Sequence, residues 1–173
     1  GAAPRKGDVK MWHQLVKHIF NGDRRLIQWF ERWAAYPLQN PGAKLRSAVV
    51  VWGRETGTGK SLLGYTLGRI YGANFNEISD QDLDPNKGFN AWAVNRQFVL
   101  ADDITGHNNR KLANKLKVMV TRETLEVNLK YVREYTIKDC INYYFTSNDP
   151  DAFYLDETDR RFLIHEVLGR KLA

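Results

Sequence analysis

The sequence predicts an α/β domain with a mainly parallel sheet, on three observations. Apolar stretches of strand length alternate with amphipathic stretches of helix length. One apolar strand, Ala48–Trp52, runs directly into a glycine-rich loop, Gly53-Arg-Glu-Thr-Gly-Thr-Gly-Lys-Ser61. Another, Phe98-Val-Leu-Ala101, ends in paired carboxylates, Asp102 and Asp103.

Two amphipathic helices are expected first. One carries Trp12, Leu15, Val16, Ile19 and Phe20 at helical spacing, the other Leu26, Ile27, Phe30, Trp33 and Ala34, and Asn21-Gly22-Asp23 punctuates them. Tyr36-Pro-Leu-Gln-Asn-Pro-Gly42 breaks the pattern. Residues 1–42 therefore read as a helical collar, and 43–173 as the core. After the glycine-rich loop, Leu63, Leu67, Ile70 and Tyr71 mark one face of a helix. Asp80–Gly88 is polar and turn-rich. Beyond the strand at 98–101, a helix from about Asn108 to Thr121 presents Leu112, Leu116, Met119 and Val120. Leu125–Tyr131 and Glu134–Ile137 read as two strands about a tight turn, Ile141–Thr146 as a buried strand, and Phe162–Val167 as the last. No internal repeat is evident.

The loop is a phosphate-binding loop by its chemistry. Glycines let backbone N–H groups turn in around phosphate oxygens, Lys60 reaches the β- and γ-phosphates, and the Ser61 hydroxyl ligates Mg²⁺. The following helix aims its N-terminal partial charge at the same place. The usual spacing G-x-x-x-x-G-K-[ST] would put the first glycine at position 54, which is Arg54; Gly53 makes the loop one residue longer. The nucleotide-binding set is Gly53, Thr56, Gly57, Thr58, Gly59, Lys60, Ser61 and Leu62. Asp102 is placed to hold Mg²⁺ through its water shell, and Asp103 to orient or deprotonate an attacking water. The strand ending in Thr146-Ser147-Asn148 brings an amide to the same edge. Asp159-Arg160-Arg161 supplies guanidiniums of the kind that stabilise a transferring phosphoryl group, and the sequence does not choose between them. Lys130, Tyr131 and Arg133, at the tip of the expected hairpin, combine cations with a stacking ring, as a single-stranded DNA contact requires.

Composition sets the bounds. The 173 residues suffice for one domain with a real core, 43% of them hydrophobic. Twenty-six Lys and Arg against twenty Asp and Glu give a net charge of +6, which favours a polyanionic partner. A single cysteine, Cys140, excludes an intrachain disulfide and any multi-thiolate zinc site, and reads as a small buried residue. No apolar run approaches the roughly 18 residues of a membrane helix and no signal-peptide core is present, so a soluble, intracellular protein is expected. His13, His18, His107 and His165 show no metal-ligand spacing. Trp12, Trp29 and Trp33 read as core or subunit-packing groups.

Taken together, Gly57-Thr-Gly-Lys-Ser61, Val99-Leu-Ala-Asp-Asp103, Val127-Asn-Leu-Lys130, Phe145-Thr-Ser-Asn148 and Asp159-Arg-Arg-Phe162 resemble the ordered motifs of a superfamily 3 helicase of the phage and plasmid primase–helicase kind. Tyr36–Gly42, Phe89-Asn90-Ala-Trp92 and Asn148–Phe153 extend the likeness over about residues 10 to 168. The resemblance implies a P-loop NTPase core of AAA+ type, with the sensor strand lying between the two Walker strands. It also implies ATP and Mg²⁺ as cofactors and a hexameric ring translocating on single-stranded or forked DNA. The hairpin at Lys130 would enter the channel, an arginine finger would act across the subunit boundary, and a primase–polymerase would be a partner. Asp103 stands where many phage members carry Glu, while papillomavirus-type members resemble this chain in having two aspartates. The alternative reading is a nucleotide-gated DNA-binding or initiator module without processive unwinding. A small-molecule kinase is disfavoured, because the chain spends its length on the hairpin and sensor strand rather than on an acceptor pocket and lid.

Overall fold

The computed structural model describes residues 5–84, 90–105, 110–153, 155 and 159–172. In chain order the elements are α1 (Lys10–Ile19), α2 (Arg24–Gln39), β1 (Ala48–Trp52), α3 (Lys60–Tyr71), β2 (Phe75–Ile78), α4 (Asp80–Leu83), β3 (Phe98–Ala101), α5 (Arg110–Thr121), β4 (Thr124–Val127), β5 (Tyr135–Lys138), β6 (Asn142–Ser147) and β7 (Phe162–Glu166), with short 3₁₀ turns at 72–74 and 91–93.

Five strands form one parallel sheet in the order β2-β3-β6-β1-β7. A parallel sheet is covered on both faces, so its strands read as unbroken apolar runs, and β1, β3 and β6 are buried almost throughout. Alternate residues serve opposite layers. Val49, Val51, Phe98, Leu100 and Tyr144 face α1, α2 and α3, where they meet Val16, Ile19, Phe20, Phe30, Trp33 and Leu63. Ala48, Val50, Val99, Ala101, Tyr143 and Phe145 face α5 and the β4–β5 hairpin, against Leu112, Leu116, Met119, Val120, Leu125 and Val127. The fold is therefore a mixed α/β sandwich whose two apolar clusters share a single sheet. α3 lies close to that sheet because Gly68 leaves room for the Phe75 ring, which sits 2.5 Å from where a Cβ would be.

Several elements differ from expectation. α2 continues through Pro37 to Gln39 rather than breaking at Tyr36. Pro37 is buried in the last turn of the helix, whose start is set by Asp23: its carboxylate accepts the Arg25 and Leu26 amides at 2.8 and 3.2 Å. The edge strand β2 was not foreseen. Ile70 points outward, off the buried face of α3. β4 stops at Val127, so residues 128–134 make a long hairpin connection instead of a tight turn, and β5 starts at Tyr135. Trp33 is core, but Trp29 is exposed. Cys140 is half-buried. The polar segment expected at Asp80–Gly88 is described only as far as Asp84, and begins as α4 with a Ser79–Asp82 capping box. Gly88, Phe89, His107 and the expected helix start at Asn108 lie outside the described residues.

One buried ionic cluster ties the segment before β1 to the other layer. The fully buried Asp139 carboxylate pairs with Lys44 Nζ at 2.8 Å and Arg122 Nε at 2.6 Å, and accepts the Ile141 amide at 2.9 Å. Lys44 also donates to the Met119 and Ile141 carbonyls. Burial pulls the Lys44 pKa down, opposed by Asp139. Removing the acid would leave two cations uncompensated. Asp139→Asn is expected to destabilise the fold by about 3–5 kcal/mol in urea denaturation at neutral pH; a loss within experimental error would show the cluster to be energetically neutral.

Candidate functional site

The loop between β1 and α3 closes at the carboxyl end of the sheet. Gly57 and Gly59 have φ of +74° and +91°, the left-handed region that glycine enters at no steric cost. Gly59 caps α3 without a side-chain acceptor, so the first-turn amides keep their donors for a ligand, and the helix dipole adds positive potential there. Lys60 is 6% exposed. Its ammonium donates to the Gly53 carbonyl at 3.0 Å, the Glu55 carbonyl at 2.8 Å and Thr58 Oγ1 at 3.4 Å. Burial lowers the Lys60 pKa, and Asp103, Asp102 and Glu55 oppose that shift in decreasing order. The Tyr144 hydroxyl, inside the sheet, donates to the Lys60 carbonyl at 3.2 Å and fixes the first turn of α3.

β6 lies between β1 and β3 and brings its end to the carboxylates. Thr146 Oγ1 donates to Asp102 Oδ1 at 2.6 Å and accepts the Asp103 amide at 2.9 Å. Asn148 Nδ2 donates to Asp103 Oδ1 at 2.7 Å. Asp103 holds φ at +49°, an unusual value for a residue with a Cβ, and these bonds are what hold it there. Ser147 Oγ donates to the Ile104 carbonyl at 2.6 Å, and the Ile104 amide donates to the Thr146 carbonyl, so the chain beyond β3 is sewn to the end of β6.

These groups surround a cavity of about 430 Å³ lined by Thr56, Gly57, Thr58, Gly59, Lys60, Ser61, Leu62, Asp102, Asp103, Thr146, Asn148 and Leu172. Every loop residue singled out in the sequence lines it except Gly53. Gly53 is buried behind the loop, where a Cβ would lie 2.9 Å from the Val167 carbonyl, and it contributes its own carbonyl to Lys60. Three participants were not assigned from sequence. Thr146 stood in the quoted motif, but its bridging role depends on the register of β6 beside β3. Tyr144 looked like any apolar strand residue. Leu172 comes from beyond β7, and its amide donates to the Gly57 carbonyl at 2.9 Å. Among the described residues no cluster of three or more metal-ligating side chains occurs. A hydroxyl and a carboxylate on one cavity suit a hard cation that takes most of its ligands from phosphate and water.

The arginines are elsewhere. Arg161 precedes β7, and its carbonyl accepts the Ala48 amide at the start of β1, so it stands at the amino end of the sheet. A five-residue strand is about 17 Å long, which separates Arg161 from the glycine-rich loop of its own chain. Its guanidinium grips Asp159 with two bonds of 2.7 and 2.6 Å and holds that carboxyl down at about 2. Arg160, beside it, is exposed. With Arg46, Lys117 and Arg161 it lines a wide basic recess of about 870 Å³. Lys130, Tyr131 and Arg133 are exposed in the hairpin connection, with Tyr131 at φ +64° and wholly in solvent.

Comparison with known proteins adds four findings. The profile of a family of unknown function (DUF5906) matches residues 51–161. The DNA primase-polymerase of Nitratiruptor phage NrS-1 is 30% identical over 168 residues, which are 94% of this chain and 23% of that protein. The apo structure of the NrS-1 C-terminal region superposes with a TM-score of 0.85 at 29% identity, over 96% of this chain and 40% of that one. Another apo form of that region gives 0.82 at 28% identity, over 95% and 39%. The chain thus spans less than a quarter of the phage protein it matches.

The Thr146 hydroxyl is buried and serves two partners, so its loss leaves a carboxylate oxygen and an amide unsatisfied. Thr146→Val is expected to cost about 1–3 kcal/mol in chemical denaturation, whereas Thr146→Ser should recover most of it. Equal stability of the Val variant and the parent would mean that the bridge holds nothing in place.

Proposed function

This chain belongs to the family of unknown function DUF5906, and from that starting point we propose that it is a P-loop ATPase of superfamily 3 type, the motor of a DNA helicase. The observation that carries the reading is the convergence of Lys60, Asp102, Asp103 and Asn148 on one cavity at the carboxyl end of a parallel sheet, with β6 between the loop strand and the acid strand. Similarity to the DNA primase-polymerase of a phage supports a role in phage-type DNA replication.

In this reading the first-turn amides of α3 and the loop amides from Thr56 to Leu62 take the phosphates of ATP. Lys60 exchanges its carbonyl partners for β- and γ-phosphate oxygens. Asp103, aimed by Asn148 and by the bond from its own amide to Thr146, accepts the proton of, or orients, the attacking water. Ser61 and Asp102 would hold Mg²⁺, which when bound neutralises charge on the β- and γ-oxygens. The distance between the phosphate loop and Arg160 and Arg161 supports completion of the site by the next subunit, in a ring that is hexameric by resemblance. Arg161 is anchored by Asp159 and Arg160 is the projecting one, so the pair divides into a brace and a finger. The hairpin tip, with Lys130, Tyr131 and Arg133, follows single-stranded DNA in the channel.

Mixing of inactive variants tests this directly. Lys60→Ala should abolish ATP hydrolysis, and Arg160→Ala should lower it about 10³-fold or more while nucleotide still binds. Equimolar mixing of the two should restore roughly a quarter of wild-type turnover, because some interfaces then join an intact loop to an intact arginine. Persistent inactivity of the mixture, together with a wild-type rate per subunit independent of concentration, would overturn the shared site. DNA-stimulated hydrolysis without unwinding of a forked duplex would reduce the motor to a nucleotide-gated DNA-binding module.

A further inference from the structure

The collar carries a feature that the nucleotide site does not use. Along the outer face of α2, Arg25, Trp29, Arg32 and Tyr36 recur at intervals of four, three and four residues, which places them within an arc of about 60° on a helix of 3.6 residues per turn. All four are exposed, with Trp29 at 39% and Tyr36 at 51%. Over about 16 Å of helix, guanidinium and ring alternate.

Trp29 is not a loose surface ring. It stacks on Trp33 with centroids 6.5 Å apart and planes 14° apart, and Trp33 stacks on Phe30 and donates its indole N–H to the Ser47 carbonyl. The outward face of Trp29 is therefore presented by a fixed stack rooted in the core. Nor are the cations neutralised in place. Residues 5–40 contain seven Lys and Arg against three Asp and Glu. Each of the three acids is engaged: Asp8 accepts the Lys10 amide, Asp23 caps α2, and Glu31 meets His13. Among the described residues neither Arg25 nor Arg32 has an ion-pair partner.

We propose that the Arg25–Trp29–Arg32–Tyr36 stripe on α2 is a binding surface for single-stranded DNA, its guanidiniums on successive phosphates and its rings under unstacked bases. Cations interleaved with aromatic rings and, among the described residues, without an ion-pair partner match a strand whose backbone is anionic and whose bases offer flat apolar faces. A second copy of this chain fits less well, because it carries the same net positive charge. The strand contact goes beyond the hairpin tip and rests on the DNA part of the proposed function, not on ATP hydrolysis.

Fluorescence anisotropy with a labelled oligothymidine of about 20 nucleotides, without ATP and over a salt series, tests it. Arg25→Gln combined with Arg32→Gln should weaken binding about tenfold and flatten the slope of log affinity against log salt by about 1.4, the share of two phosphates on a single strand. Trp29→Leu, which keeps an apolar group on Trp33, should weaken binding about fivefold or more with the slope unchanged. DNA-independent ATP turnover should stay at the parental rate in the double variant. Affinity and slope unchanged from the parent in both variants would overturn the stripe. So would unchanged affinity with altered sedimentation, which would make it a subunit-packing face. Absent ATP turnover with the expected DNA results would sink the ATPase reading and leave the stripe standing.

Discussion

A parallel sheet buried on both faces is the constraint from which the rest of this molecule follows. Each strand must return to the same end before the next begins, so all the carboxyl termini meet along one edge and all the amino termini along the other. The apolar runs of β1, β3 and β6 put that sheet at the centre, with α1, α2 and α3 on one side and α5 and the β4–β5 hairpin on the other. Because β6 lies between β1 and β3, its polar end, Thr146-Ser147-Asn148, adjoins both the glycine-rich loop and the acid pair.

That edge is organised ahead of any ligand. Lys60, hardly exposed, donates to two backbone carbonyls rather than to a carboxylate, so its charge is met by neutral acceptors and not by an ion pair. Asp103 is kept in a left-handed conformation by two bonds from the neighbouring strand, an energetic cost placed where a carboxylate must point in one direction. The amino edge is organised differently. There Arg161 and Asp159 form a bidentate pair close to the recess that Arg160 enters, and the buried Lys44–Asp139–Arg122 cluster locks the same end of the core. The two edges differ in charge: Asp102 and Asp103 line the cavity at the carboxyl edge, while Arg46, Lys117, Arg160 and Arg161 line the recess at the amino edge.

Much of this was legible in the sequence because it is local. A strand followed by Gly57-Thr-Gly-Lys-Ser61, an apolar run ending in Asp102-Asp103, and an apolar run ending in Asn148 each declare an element and a chemistry within about ten residues. What escaped was non-local or weakly patterned. β2, Phe75-Asn-Glu-Ile78, is an edge strand of four residues without alternation or an apolar run, and it exists because β3 offers it a partner. Pro37 read as a break, yet it lies in a final turn held by packing. Gly53 read as the first loop glycine, whereas contact with Val167 explains it. Trp29 was grouped with Trp12 and Trp33 by residue type, and only its place on the outer arc of α2 separates them.

The sequence by itself determined the α/β class, the glycine-rich loop, the acids and the order of the motifs, since apolar period, backbone-permissive residues and chain order are properties of the one-dimensional string. Only the tertiary structure decided that Thr146 bridges Asp102 and Asp103, that Leu172 reaches the loop, and that Arg160 and Arg161 stand a strand's length from Lys60. These are distances across strands and between opposite ends of one sheet, set by register and strand order, which depend on how apolar surface is shared among elements far apart in the chain.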